Sequence, residues 1–382
     1  MIARMSRTAP ELALVLSGGG ARAAYQAGFL RHLACQFPEL APAILTGVSA
    51  GAVNAAFLAA HEGRFCDRVQ RLSELWAGLR TGHVFSAGTS SVVRTTLRWG
   101  LRLMSGGHPS PATRGLVDTQ PLRSLLTDVL HANGGGLGGI QRNLERGALK
   151  AVALTATSYS TGQSVTWVQG RQIETWERAH RRAVMDDLTV EHVMASSALP
   201  LFFPAVAVNG AWYGDGGIRL TAPLSPAVHL GADRILAIST RYARTVEEAD
   251  RPVVDGYPPP AQVAGVLLNA IFLDLLDGDA LRLDRINSLV EQVPPERRGP
   301  MRHVDLLVLR PSGDLGQLAN QFETQLPSAL RFMTRGLGTK ETRSNDLLSL
   351  IMFQPDYVHH LLDLGERDAK ARARDIAAFL KP

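Results

Sequence analysis

The spacing of apolar positions changes period several times along this chain. Leu12-Ala13-Leu14-Val15-Leu16 is a short unbroken apolar run between Glu11 and Ser17, the pattern of a strand buried on both faces. From Ala21 to about Phe37 the period becomes helical. Tyr25, Phe29, Leu30 and Leu33 gather near one face, Arg22, Gln26 and Arg31 fall elsewhere, and Pro38 closes the segment. Ala43-Ile44-Leu45-Thr46 predicts a second strand. Ala50 to His61 predicts a helix whose many alanines let it lie close on a sheet. Phe65 to Leu79 is an amphipathic helix, with Val69, Leu72, Leu75, Trp76 and Leu79 at helical spacing.

Further along, Pro121 to about Leu130 reads as a helix capped by Asp118-Thr119, and Asn133 to Gly139 as a mobile glycine-rich surface loop. Lys150 to Thr157 is a third strand, with a hairpin partner at Ser164 to Val168 across Thr161-Gly162. Thr189 to Ala198 is helical. Ala205 to Val208 is strand-like and turns at Asn209-Gly210, and Pro223 to Leu230 is a short helix. Arg234 to Ser239 and Val304 to Leu309 are two more core strands. Between them Gln262 to Val290 is a long helical stretch, broken at Pro294-Pro295, and the rest of the chain to Pro382 is helical. The first two strands each run into a glycine turn that opens a helix. That arrangement predicts an α/β fold on a mostly parallel sheet, with its site at the strand carboxyl ends.

The texture changes between residues 80 and 115, where Gly, Ser, Thr and Arg dominate. Inside this stretch, Val92 to Met104 is a helical segment with Val93, Leu97, Leu101 and Met104 on one face and Arg94, Arg98 and Arg102 beside it. Its first reading is a helix packed on the surface. Its second is a cationic amphipathic helix lying in a membrane interface, which makes 80–115 a candidate lid or membrane-contact insertion. The predicted organisation is a tail over 1–10, a catalytic domain over 11–310, and a helical extension over 311–382 packed on the same domain. Pro258-Pro259-Pro260 is the best linker candidate, but a strand follows it.

Composition narrows the function classes. With 382 residues and 45% hydrophobic content the chain can bury a large core. No run approaches the apolar length a membrane span needs, and Pro10 and Glu11 interrupt the N-terminus before any signal-peptide core forms. Cys35 and Cys66 lack metal-ligand spacing and read as two buried free thiols, in keeping with a reducing, cytoplasmic compartment. The net charge of +5 is carried mostly by arginine. It suits anionic surfaces such as phospholipid headgroups but lacks the dense basic and aromatic patch of a nucleic-acid binder.

The chemistry gathers at three glycine turns. Gly47-Val48-Ser49-Ala50-Gly51 lies between a predicted strand and a helix, the setting of a nucleophile elbow. Its two glycines allow a tight turn and clear the approach to the serine oxygen. Gly18-Gly19-Gly20, between the first strand and its helix, can point backbone N–H groups at an oxyanion, and Arg22 could add positive charge there. A dinucleotide-binding reading of Gly18, Gly20 and Ala23 fails at the second strand, which ends in Gly47-Val48-Ser49 where an acidic residue is required. Asp215, in Gly214-Asp215-Gly216-Gly217, has an unobstructed carboxylate in a turn that can be strained. Trp212 and Tyr213 could desolvate it and make it a better base. Of eleven histidines, His229, His303, His359 and His360 follow Asp215 in the order a Ser-Asp-His triad requires. None is on a loop directly after a strand.

Taken together, Gly18-Gly19-Gly20-Ala21-Arg22, Gly47-Val48-Ser49-Ala50-Gly51 and Asp215-Gly216-Gly217 resemble, in order, the three signatures of the patatin-like phospholipases. Ala195 to Pro204 resembles the run that precedes the family's DGG motif. The usual glycine after the Arg or Lys is Ala23 here, at a helix-opening position that need not have a positive φ. The resemblance implies a three-layer α/β/α sandwich. It also implies a Ser-Asp dyad without histidine, and hydrolysis of lipid acyl esters without metal or cofactor. Carried over residue by residue, it makes Ser49 the nucleophile and Asp215 its base, with Gly18, Gly19, Gly20 and Arg22 lining an oxyanion hole. Acyl transfer or thioester cleavage on the same residues is an alternative, as is a non-catalytic nucleotide- or lipid-binding protein using the glycine loop. The expected partners are a lipid acyl ester and a peripheral membrane contact, with no nucleic acid. Oligomeric state is left open.

Overall fold

Strand β1 (Leu12–Leu16) occupies the middle of a ten-stranded sheet in the computed structural model, which describes residues 10–86, 115–132, 134–250, 254, 256–272, 275–336, 338–339 and 345–381. The other strands are β2 (Ile44–Val48), β3 (Ala151–Ser158), β4 (Ser164–Gly170), β5 (Glu177–Arg178), β6 (Arg181–Met185), β7 (Val206–Val208), β8 (Ala211–Asp215), β9 (Arg234–Ile238) and β10 (Asp305–Leu309). Their order is β10-β9-β1-β2-β3-β4-β6-β5, with β8 on β3 and β7 on β8. From β10 through β9, β1 and β2 to β3 every pairing is parallel. All five strands carry apolar residues on both faces, as parallel strands covered by helices must. The α/β class and mostly parallel sheet are as expected. The hairpin partner of β3 is also in place, antiparallel along Ala151↔Gly170 to Thr157↔Ser164. The short strands β5 and β6 add to β4 and were not read from the sequence, because their exposed, arginine-rich pattern carries no period-2 signal.

One arrangement decides where the site forms. Strand β2 pairs with β3 from Ile44↔Ala151 to Val48↔Thr155, and β8 pairs with β3 from Ala156↔Asp215 onward. The other edge of β3 is taken by β4 over the same residues, so β8 must follow β2 along a single edge. The residue after β2 is Ser49 and the last residue of β8 is Asp215.

The helices used below are α1 (Ala24–Gln36), α2 (Ala50–Ala60), α3 (Phe65–Ala77), α4 (Gln120–Val129), α5 (Gly138–Glu145), α6 (Val190–Ser196), α7 (Ser225–His229), α8 (Pro260–Phe272), α9 (Leu275–Gln292), α10 (Asp346–Ile351) and α11 (Pro355–Ala371). A short 3-10 turn, Gly20–Ala23, precedes α1. Helix α1 differs from its expected one-faced pattern. Gln26 is as buried as Tyr25 and Phe29, because it faces the ends of β1 and β9 and helix α2, while α11 covers another side of α1. Gln26 is satisfied there by the carbonyls of Ser17 and Ile238 and by Asn54. The expected mobile loop at Asn133 to Gly139 is instead pinned by Val190 N–H donating to Gly135 C=O, and its end opens α5. Cys35 and Cys66 are free as expected, but Cys35 is exposed and Cys66 half-buried. The segment 87–114, with the predicted amphipathic helix, lies outside the described residues.

The stretch Gln262 to Val290 is helical over its described residues, as α8 and α9. By length and composition alone Pro260–Gln292 is long and apolar enough to cross a membrane, contrary to the expectation that no run approaches that length. Asn269 of α8 is nevertheless hydrogen-bonded to Asp346 of α10, and Asp279 of α9 accepts from the Leu224 N–H.

Candidate active site

Ser49 sits where strand β2 turns abruptly into α2, with φ 56° and ψ −133°, a left-handed conformation that is strained for a residue with a Cβ. Gly47 and Gly51 do not take the positive φ; they allow the elbow to pack. A Cβ on Gly47 would lie 2.4 Å from the Gly51 carbonyl oxygen, and one on Gly51 would lie 2.3 Å from that of Leu16. The strained turn is buttressed by Ser196, a fully buried residue at the end of α6. Its Oγ accepts from the Ser49 N–H at 3.2 Å and donates to the Thr155 carbonyl at 2.6 Å. Helix α2 points its N-terminal N–H groups and the positive end of its dipole at the space over Ser49.

The glycine loop lies against the elbow. A Cβ on Gly18 would meet the Ser49 Cβ at 2.9 Å. Gly19 and Gly20 have φ of 147° and 54°, so the loop needs glycine for conformation as well as for space. Thr240, at the carboxyl end of β9, anchors the loop by donating its hydroxyl to the Gly18 carbonyl at 2.5 Å. Among the described residues no protein acceptor takes the N–H of Gly18, Gly19 or Gly20. Such open, adjacent donors are what an oxyanion site needs. Ala23 has φ −66°, so its methyl group costs the helix start nothing.

Arg22 is placed differently from the three glycines. Its guanidinium is 4% exposed and turned toward the C-terminal segment, where Nε donates to Ser349 Oγ at 2.7 Å and Nη2 to Asp346 Oδ1 at 2.5 Å. The positive charge that sequence reasoning placed beside the oxyanion is thus met by a buried ion pair.

Asp215 is completely buried. Its Oδ1 accepts from the Gly217 N–H at 2.9 Å, its N–H donates to the Ala198 carbonyl, and Thr157 donates to its own carbonyl at 2.9 Å. Oδ2 has no partner at full hydrogen-bond distance among the described residues. Burial pushes the carboxyl up to about 7, against the smaller downward pull of the neighbouring Ser49 hydroxyl and the Gly217 amide. The turn is not strained, since Asp215 has φ −49° and ψ 132° and none of its glycines has a positive φ. Gly216 is there for space, because a Cβ would lie 2.1 Å from the Thr155 carbonyl oxygen, and Gly217 supplies the amide. Nor is Trp212 the desolvating group expected, as it is 47% exposed. Tyr159, from the β3–β4 turn, packs on Gly214, and its burial, with a smaller contribution from the charge of Asp215, raises its phenol.

The four histidines considered for a triad are engaged elsewhere. His229 stacks on Trp176, His303 pairs with Glu291 and Asp305, and His359 and His360 bond back to carbonyls one turn earlier in α11.

An apolar cavity starts at Gly20 and Ala50, next to the loop and the elbow. Its walls are Val53 of α2, Leu75 and Trp76 of α3, Leu122, Leu125 and Leu126 of α4, and Leu199 and Phe203. Leu350, Ile351 and Phe353 complete it from the C-terminal segment, which had been assigned no chemistry from sequence. Ser196, Thr240 and Asp346 were missed as well. Ser196 lies in the run Ala195 to Pro204, whose position before the third glycine turn was the only available signal. For Thr240 and Asp346 only the tertiary fold brings them to the loop.

The family model for patatin-like phospholipases matches residues 14–228, more than half of the chain. No sequence among the curated proteins matches it. Similar solved structures include human GIVD cytosolic phospholipase A2 (12% identity, TM-score 0.47, covering 97% of this chain and 60% of that one) and VipD from Legionella pneumophila (14%, 0.37, 93% and 67%). A third is the type III effector protein ExoU (15%, 0.39, 97% and 54%), whose complex with SpcU is from Pseudomonas aeruginosa. The chain spans between 54% and 67% of the length of these proteins.

Proposed function

From the premise that this chain belongs to the patatin-like phospholipase family, we propose that it is a serine hydrolase of lipid acyl esters, of phospholipase A or lysophospholipase type, working through a dyad of Ser49 and Asp215. The observation that carries this reading is the fully buried Asp215, raised to about 7 and facing the hydroxyl of a strained elbow serine. A carboxylate is too weak a base in water; one raised to near neutrality is matched to the task.

In the first step Asp215 takes the proton from Ser49 Oγ as that oxygen bonds to the ester carbonyl carbon. The developing oxyanion lies over the amides of the Gly18-Gly19-Gly20 loop and the start of α2. Collapse breaks the bond to the alcohol, which leaves with the proton from Asp215. Water then gives a proton to Asp215 and attacks the acyl-serine. The bond to Ser49 Oγ breaks, the proton returns to Ser49, and the fatty acid departs. The apolar cavity beside Gly20 and Ala50 suits the acyl chain, since few polar groups line it.

Peripheral contact with a lipid surface belongs to the same reading. Helix α8 carries no charged residue, exposes Val263, Val266 and Leu267, and rests on the Gly216–Ile218 turn beside Asp215. Replacing Val266 and Leu267 with aspartate is expected to lower co-sedimentation with phospholipid vesicles while hydrolysis of a soluble short-chain ester is kept.

The direct test is Ser49→Ala on a chromogenic fatty-acyl ester. Turnover should fall by about 1,000-fold or more, and undiminished turnover would sink the assignment. Asp215→Asn should abolish activity as well, whereas His229→Ala and His303→Ala should keep most of it.

A further inference from the structure

We propose that Asp346 and Ser349, in the C-terminal helix α10, are positioning residues of the active site that act through Arg22 on the glycine loop. Arg22 lies two residues after Gly20, and its guanidinium is buried between Ser349 Oγ and Asp346 Oδ1. Ser349 is itself fixed, since its hydroxyl donates to the Asp346 carbonyl at 2.6 Å. The other carboxylate oxygen of Asp346 accepts from Asn269 of α8 at 2.5 Å. Asn345 caps α10 by accepting from the Leu348 N–H.

The backbone makes a second, independent connection. A Cβ on Gly20 would lie 2.1 Å from the Leu350 carbonyl oxygen, so α10 runs in contact with the loop. Thr240 holds the loop at Gly18, and α10 holds it at Gly20 and Arg22. Open amides at glycine have no side chain to fix their direction. Their aim at a developing oxyanion depends on anchors at both ends, and small misplacements of such donors are costly in rate. With its Nε and Nη2 committed to α10, Arg22 contributes orientation rather than a contact to substrate.

This inference rests on the hydrolase reading above, and its test separates the two. Asp346→Asn leaves a buried arginine without its counter-charge and can destabilise the chain. The companion variant Arg22→Gln/Asp346→Asn removes both charges and keeps the packing. For whichever of these melts cooperatively, kcat on an uncharged p-nitrophenyl acyl ester should fall by about 10- to 100-fold. KM should change less than about twofold, and fluorophosphonate labelling of Ser49 should slow by the same factor as kcat. The double variant should be no worse than Arg22→Gln alone, as residues acting through one contact are not additive. The loss should be equal on an uncharged ester and on an anionic phospholipid. A folded Asp346→Asn protein with unchanged kcat overturns the proposal. So does a loss confined to the anionic phospholipid and to Arg22 variants, which would make Arg22 a substrate ligand. A wild-type chain that neither hydrolyses esters nor labels sinks the hydrolase reading instead. The clamp is then read by hydrogen exchange in Ser49→Ala. Asp346→Asn should speed exchange at the Arg22 amide, which donates to the Gly19 carbonyl, by about tenfold or more, with β9 unchanged, and unchanged exchange there overturns it.

Discussion

At the scale of single residues, Asp215 links chemistry and stability through one group. Its buried carboxyl is held up near 7 against a usual 3.8. As the proposed general base it must be ionised, so kcat/KM should rise about tenfold per pH unit up to about pH 7 and then level off, read from a pH–rate profile on a soluble ester. The stability effect has the opposite sign. The folded chain holds this proton more tightly than the unfolded chain does, so its contribution is complete below the unfolded value and is lost as pH rises toward 7. Asp215→Asn should therefore raise Tm at pH 8 and leave it nearly unchanged at pH 4, as followed by circular dichroism. The residues of this pair were legible in the sequence because glycine spacing and order mark them. The reason for the raised carboxyl was not: Trp212 looked like its cover and is half-exposed, whereas burial comes from the fold around β3 and β8.

Elements were legible wherever one face decides the pattern. Strand β1, with its unbroken apolar run, falls at Leu12–Leu16 as expected, and α2 and α3 end within a few residues of their predicted limits. Helix α1 was half-read, since it is covered on more than one side, and α11, one of its covers, comes more than three hundred residues later. That contact is close. A Cβ on Gly28 would lie 2.0 Å from the Leu362 carbonyl oxygen, and one on Gly365 would lie 2.2 Å from that of Tyr25. Glycine inside a helix costs about 1 kcal/mol against alanine, yet here the methyl group would push two helices apart. Gly28→Ala should destabilise the protein by about 1–3 kcal/mol despite the better helix propensity, visible as a lower denaturation midpoint with an unchanged m-value.

For the whole molecule, the C-terminal segment is a wall of the site and a cover for the core. Tyr357, Val358, Leu361 and Leu362 of α11 are buried against the rest of the chain. At about 1.5–3 kcal/mol for each large apolar side chain, removing them costs roughly what a domain of this kind has as net stability. A chain ended before Asn345 should lose its cooperative melt, a result differential scanning calorimetry would show. The extension was expected to pack on this domain, but the helical periodicity of residues 346–371 announces an apolar face without saying what it meets. The shared edge of β3 has a different consequence, for how such a site can change over time. The spacing of nucleophile and base is set by the pitch of a β-ladder, not by any loop between them. Segments inserted, lost or exchanged in the connection from α2 to β3, and away from Ser196 and Ala198 in that from β4 to β7, leave that spacing untouched. The cavity walls can therefore drift toward new acyl groups, or be swapped outright by an engineer, while the reacting pair stays in register.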